Sequence, residues 1–172
     1  MNVKQAIEFI AFENGMSVPQ LWLDLGCGTG LFTMALAHYL PAGSKIMAVD
    51  KDKKALEQLP ARINEVAIET LVADFIQEAL AVKGADGILM ANSLHYVKAK
   101  EIFLHRLVSL LKLNSVFLLV EYDRTRANQW VPYPLAMAAA KDLFKNLGYS
   151  YFQLLNKRPS AYGGDMYAAF VS

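Results

Sequence analysis

Cysteine is almost missing from this chain. Cys27 is the only one in 172 residues, which excludes a disulfide framework and a cysteine-based zinc site and fits a reducing compartment. An excess of either charge is missing too: 17 Lys and Arg stand against 16 Asp and Glu, for a formal net charge of +1. That balance argues against broad attraction to nucleic acid or to an anionic membrane surface. The densest basic cluster, Lys51-Asp52-Lys53-Lys54, reads most simply as a solvated helix start. No uninterrupted apolar run exceeds about six residues, far short of the ~18 or more that a membrane span needs. Met1-Asn2-Val3-Lys4-Gln5 lacks the charged-then-apolar pattern of a signal peptide, so a cytoplasmic location is expected. No repeat, linker or low-complexity stretch divides the chain, and one domain over 1–172 is expected, long enough to bury a real core.

What is present is a series of short apolar runs, several closing on an acid or a glycine. Residues 3–14 carry Val3, Ile7, Ile10 and Ala11 at helical spacing, and Asn14-Gly15 should end that helix. Strands are expected at 20–25, 45–50, 68–74, 86–92 and 115–121. Helices should fill the gaps between them: 31–39, a stretch through Ala55, Leu56 and Leu59 that stops near Pro60, 75–82, and 99–111. A polar and aromatic loop should follow from Tyr122 to Pro134, with Pro134 in the first turn of a helix running to Leu147 and Gly148 at its exit. Two last strands, 149–155 and 166–171, have no helix between them. Five strand–helix repeats followed by such a pair predict an α/β fold of three layers, with a seven-stranded, mostly parallel sheet and an antiparallel C-terminal edge pair.

The informative stretch is Leu21-Trp22-Leu23-Asp24-Leu25-Gly26-Cys27-Gly28-Thr29-Gly30. A buried strand feeding a glycine loop and then a helix is the nucleotide-binding corner of an α/β sheet. The dinucleotide fingerprint G-x-G-x-x-G fails here, because its third glycine position holds Leu31. Asp24 would also repel a pyrophosphate and would suit a ligand carrying an ammonium or a sulfonium. No Gly-Lys-Ser/Thr follows, which rules out the phosphate loop of ATPases.

Asp50 and Asp74 close the second and third strands on the same rim. There Asp50 can accept from a ribose diol and Asp74 from an exocyclic amine. Each of these acids would also make a helix N-cap, worth about 1 kcal/mol. Three of them around one glycine loop favour a shared ligand.

Asp24-Leu25-Gly26-Cys27-Gly28-Thr29-Gly30 resembles the first motif of class I S-adenosylmethionine-dependent methyltransferases of the small-molecule type. Val49-Asp50 is similar to the acid after that family's second strand, Ala73-Asp74-Phe75 to its adenine-side motif, and Ala91-Asn92-Ser93-Leu94-His95-Tyr96 to its segment after strand four. The resemblance covers nearly the whole chain and implies a Rossmann-like fold and S-adenosyl-L-methionine as cofactor. It implies a cofactor-binding half over 19–111, preceded by a helix and link at 1–18, and a substrate-side half over 112–172. Asp24, Gly26 and Gly28, with Cys27 and Gly30 in the same loop, would hold the methionine end. Asp50, with Lys51 beside it, would take the ribose, Asp74 and the Phe75 backbone the adenine, and the Asn92 carbonyl the amino group. A nucleophilic role for Cys27 is a weaker alternative, since a small residue in a tight loop is explanation enough.

Methyl transfer from a sulfonium needs a base only when the acceptor must lose a proton. His95 and Tyr96 are the catalytic candidates, with His95 as base. A loop histidine that packs or caps the next helix is an equal reading, and His38 and His105 are expected to be structural. His95, just after the fourth strand, and Tyr122, Trp130 and Tyr133 are the candidate substrate contacts. The last three lie in the loop from Tyr122 to Tyr133, which with Glu121 also brings Asp123, Arg124, Arg126, Asn128 and Gln129 near the end of the fifth strand. Arg158, Tyr162 and Gly163-Gly164 suit a flap or a mobile hairpin.

A small-molecule acceptor is expected and no metal. Nucleic acid is disfavoured, because the segment after strand four is not Asn/Asp-Pro-Pro-aromatic and no second cysteine exists. About twenty residues precede the first strand, fewer than in many small-molecule members. The acceptor pocket would then be covered by the 122–133 loop, by a second subunit in a homodimer, or by a large substrate. Two other functions compete with the methyltransferase: a non-catalytic S-adenosylmethionine-binding or interaction subunit, and a nicotinamide-dependent oxidoreductase.

Overall fold

The structure is a computed structural model that describes residues 1–13, 17–160 and 164–172. The helix stop expected at Asn14-Gly15, and Tyr162 and Gly163 of the expected flap, lie outside the described residues. The elements in chain order are α1 (Val3–Phe9), β1 (Leu21–Leu25), α2 (Leu31–Ala37), β2 (Lys45–Asp50), α3 (Lys53–Leu56), β3 (Arg62–Ile63), β4 (Val66–Val72), β5 (Ala85–Ala91), a 3-10 turn (Leu94–Tyr96), α4 (Lys100–Val108), β6 (Leu111–Asp123), α5 (Met137–Asn146), β7 (Phe152–Pro159) and β8 (Asp165–Val171).

The eight strands form one sheet in the order β3-β4-β2-β1-β5-β6-β8-β7. The run β4-β2-β1-β5-β6 is parallel, while β8 and β7 close one edge antiparallel. Because side chains alternate along a strand, the sheet feeds two separate cores. Trp22, Ile46, Ala48, Leu89, Leu118 and Val120 face α1 and α2. Leu23, Val49, Ile88, Met90, Phe117 and Leu119 face α4 and α5. The result is the three-layer α/β sandwich expected from the sequence.

Four expectations need correction. The sheet has eight strands rather than seven, because Asn64 at φ +50° turns the chain between Ile63 and Val66 and adds the two-residue strand β3. The segment 75–82 is not a helix. Asp74 and Glu78 close a single turn on each other, the Asp74 carboxylate accepting from the Ile76 and Gln77 N–H and Glu78 from the Asp74 N–H. Nucleating so short a helix is costly, and after this one turn the chain runs irregularly to β5. Pro134 does not open the last helix: α5 begins at Met137, whose N–H is received by the Asp123 carboxylate at 3.0 Å. Finally, β6 and β7 reach the rim, at Asp123 and Pro159, so Tyr122 and Asp123 join Glu121 in the strand and do not belong to the loop.

The chain leaves β1 toward β2 and β4 on one side, then returns to β5 and β6 on the other. The switch point of the sheet is therefore the crevice between the carboxyl ends of β1 and β5, where ligands of open α/β sheets bind.

Candidate functional site

Two loops meet in that crevice. After β1, Gly26, Gly28 and Gly30 take φ values of +79°, +54° and +85°, a left-handed backbone that glycine adopts without strain. At Gly26 glycine is also required by space, since a Cβ there would sit 2.6 Å from the Ser93 Cβ. Ser93, just after β5, donates its hydroxyl to the Leu25 carbonyl at 2.6 Å and ties the two loops together. At Gly28 a Cβ would meet nothing within 4 Å, so the loop leaves open room above its backbone.

Asp50 holds the loop from the next strand. Its carboxylate accepts from the Gly28 N–H at 2.8 Å and from the Asp52 N–H at 2.9 Å. Between these elements lies a cleft of about 340 Å³ lined by Gly26, Asp50, Lys51, Ala73, Asp74, Phe75, Ile76, Asn92, Ser93 and Tyr96. Phe75 is buried and packs edge-on against Phe103 with centroids 5.9 Å apart, while Arg106 caps its carbonyl at 2.7 Å. Asn92 sits at φ +55°, and its side-chain oxygen is buried without a partner. A buried acceptor left open at the edge of a cleft fits a donor-bearing ligand.

Of the expected cofactor residues, the cleft brings together Gly26, Asp50, Lys51, Asp74, Phe75 and Asn92; Asp24, Cys27, Gly28 and Gly30 are not in its lining. Asp24 lies fully buried below the loop, accepting from the Thr33 hydroxyl on α2 at 2.6 Å, with its other oxygen unpartnered. Burial pushes its carboxyl up to about 7, against the Thr33 bond and with help from the Asp50 charge. Cys27 carries a thiol that burial, with Asp24 and Asp50 nearby, pushes up strongly, which speaks against a thiolate nucleophile.

The Asp24 environment leads to a pH-dependent stability. An acid whose folded pKa lies above its ordinary 3.8 holds its proton more tightly when folded, so its contribution to stability declines as pH rises from about 4 to about 7. Asp24→Asn removes this term. The variant should gain stability over the unchanged protein on going from pH 5 to pH 8, measured by urea unfolding at both values. An equal difference at the two pH values would contradict the assignment.

On the acceptor side, His95 is 2% exposed and Glu121 is fully buried. Glu121 accepts from the His95 N–H at 3.0 Å and pairs with its Nδ1 at 2.8 Å. Because a carboxylate only accepts, Nδ1 carries the proton and Nε2 is left as the basic nitrogen. The imidazole packs on Tyr96 and Tyr122, at centroid distances of 4.3 and 5.5 Å. Tyr96 is half exposed and reaches the cofactor cleft, whereas Tyr122 is buried.

Tyr133 stands beside them, its N–H donating to the His95 carbonyl at 3.0 Å and its own carbonyl receiving Lys100 Nζ at 2.6 Å. Trp130 is exposed on a turn built by Asn128, whose side chain accepts from the Trp130 and Val131 N–H. The pairing of Glu121 with His95 had no local sequence signal, and neither did Thr33 under Asp24 or the Ser93 tie. Each joins residues that only the sheet brings together. Among the described residues no group of His, Cys, Asp or Glu is placed to hold a metal ion, and no helix is long and apolar enough to cross a membrane.

Comparison with known proteins agrees with this geometry. An uncharacterized methyltransferase of Mycobacterium tuberculosis is 33% identical over 88 residues, which cover 51% of this chain and 43% of that protein. The match therefore spans less than half the length of the relative. Among solved structures, a 1,6-didemethyltoxoflavin-N1-methyltransferase from Burkholderia thailandensis superposes with a TM-score of 0.69 at 18% identity, over 98% of this chain and 76% of that one. A methyltransferase from Leishmania major reaches 0.71 at 20% identity, over 97% and 70%. At such identities these likenesses establish the shared fold. The sequence profile described as a methyltransferase domain matches residues 23–117, from inside β1 to the middle of β6, and so takes in the glycine loop, all three acids and His95. The chain belongs to the methyltransferase-domain family.

Proposed function

We propose that this chain is an S-adenosylmethionine-dependent methyltransferase acting on a small-molecule acceptor. The observation that carries the reading is the cleft at the switch point, where Asp50, Asp74, Phe75 and the unpartnered Asn92 oxygen converge around a glycine loop with open backbone. These groups suit the parts of that cofactor. Asp50 keeps lone pairs for a ribose diol, Phe75 offers an apolar wall for a flat base, and acceptor oxygens suit an amine. The Burkholderia protein was solved with S-adenosylhomocysteine bound, which supports the same choice.

When bound, the cofactor supplies an electrophilic methyl group on a sulfonium. The chain's residues orient and desolvate the reacting groups, and such alignment accounts for much of the rate in an in-line displacement. His95 takes the acceptor's proton at Nε2, held in that tautomer by Glu121. Tyr96 packs against the imidazole and lines the cofactor cleft, so it stands between the two halves of the site.

Calorimetric titration with S-adenosylhomocysteine and with NAD tests the reading directly. Binding of the first and not the second is expected, and binding of NAD alone would overturn it. Asp50→Ala should weaken S-adenosylhomocysteine by about 1–3 kcal/mol, because the ribose loses a charged acceptor and the Gly28 N–H loses its anchor. Unchanged affinity would remove Asp50 from the ribose site.

A further inference from the structure

The β7–β8 hairpin sorts its two adjacent cations to opposite faces of the sheet. Lys157 pairs in register with Tyr167, which faces the α4 and α5 layer, and its ammonium bridges Asp123 at 2.9 Å and Asp165 at 3.3 Å. Arg158 pairs with Met166, and Met166 pairs with Tyr122, so all three side chains share the α1 and α2 face. Arg158 is half-buried, yet among the described residues it has neither an ion pair nor a hydrogen-bond partner for its side chain. Asp165, the only acid between Lys157 and Met166 in the sequence, is committed to Lys157 on the other face.

The register puts the Arg158 Cα two strand spacings, about 10 Å, from the Tyr122 Cα, and the Tyr122 ring lies against His95. From His95 outward the rim therefore reads as a basic imidazole, an aromatic ring, a thioether and an uncompensated guanidinium. The acids Asp50 and Asp74 lie on the other side of β1, in the cofactor cleft.

We propose that Arg158 is a specificity-determining residue that docks an anionic group of the methyl acceptor, a carboxylate above all, while the atom to be methylated lies toward His95. This inference rests on the methyltransferase reading. A planar guanidinium matches a carboxylate through two parallel hydrogen bonds, and a half-buried one with no internal acid leaves that place to a ligand. The same charge repels a cationic amine, so the acceptor class is an acid with an aromatic or apolar body.

The test uses the whole chain saturated with S-adenosylhomocysteine and matched pairs of probes, hydroxybenzoates against the corresponding hydroxybenzamides, titrated by ligand-observed NMR. At least one acid should bind about tenfold or more tightly than its amide. Arg158→Gln should erase that preference without changing S-adenosylhomocysteine affinity, and Arg158→Lys should keep part of it. Lys157→Gln, which alters the opposite face, should leave it intact. Equal binding of acids and amides, no binding of any acid, or a preference that survives Arg158→Gln would overturn the proposal. Should Arg158→Gln fail to fold, the acid–amide comparison in the unchanged protein and in Arg158→Lys still decides. Failure to bind S-adenosylhomocysteine would sink the methyltransferase reading, whereas its binding without an acid preference would sink only the role of Arg158.

Discussion

Glu121→Gln is expected to lower kcat by about 10²–10⁴-fold, the range that a general base contributes, with S-adenosylhomocysteine affinity unchanged. The fully buried carboxylate has three donors to satisfy: the His95 N–H, the His95 Nδ1–H and the Tyr122 N–H. A glutamine offers one oxygen and one amide nitrogen. If its oxygen stays on the His95 N–H, its NH₂ group faces Nδ1 and turns that nitrogen into an acceptor. The proton then moves to Nε2, which can no longer take one from the acceptor. The 3.3 Å bond from the Tyr122 N–H to the carboxylate is lost as well.

Two measurements check this. Nitrogen-15 spectra should show His95 as the Nδ1–H tautomer in the unchanged protein and as Nε2–H in the variant. Turnover should be compared on any acceptor that a metabolite screen returns. A loss of less than tenfold, with the tautomer switched as described, would show that His95 is not the base.

Gly87→Ala should lower Tm by roughly 2–12 °C through packing alone. Gly87 lies in the interior of β5, where glycine weakens a strand and so signals a close approach. Trp22 makes that approach: a Cβ on Gly87 would stand 2.7 Å from three atoms of its indole ring. The ring cannot retreat. It is 1% exposed, its Nε1 donates to the Gln20 side chain at 2.7 Å, and Phe12 packs against it. Overpacking of this kind costs about 1–3 kcal/mol, and each kcal/mol is worth roughly 2–4 °C at this size. Shrinking the neighbour should relieve the clash, so Gly87→Ala placed on a Trp22→Leu background should cost much less than on the natural one, a non-additivity readable by thermal unfolding. Equal costs on both backgrounds would mean that the indole is not what excludes a side chain at Gly87.

Much of the architecture was legible along the chain because its signals are local. Asp24-Leu25-Gly26-Cys27-Gly28-Thr29-Gly30 marks the turn out of β1 by residue types alone. The parallel core strands follow from apolar runs that need no partner to be recognised. Segments whose state depends on distant partners carry no such local signal. The stretch 75–82 has the composition of a helix, but the chain makes only one turn there, and Leu80 and Val82 pack against the core beneath α4. β7 reaches Pro159 only because β8 is there to pair with it, and β3 exists only against β4.

For the site, local sequence was enough to mark the glycine loop, Asp50 at the end of β2, Asp74 just after β4, and the segment that carries Asn92, His95 and Tyr96, because each is a short motif at a strand end. The tertiary structure alone decided which of them share a cleft and which do not. It buried Asp24 under the loop with Thr33, aimed Asp50 at the Gly28 N–H, and joined Glu121 on β6 to His95 in the turn after β5. It also separated Arg158 from Lys157, one residue away, onto opposite faces of the sheet. The physical reason is common to all of these. Residue type sets what a group can donate, accept or repel, whereas its partner is set by strand order and register, which no local window of sequence contains.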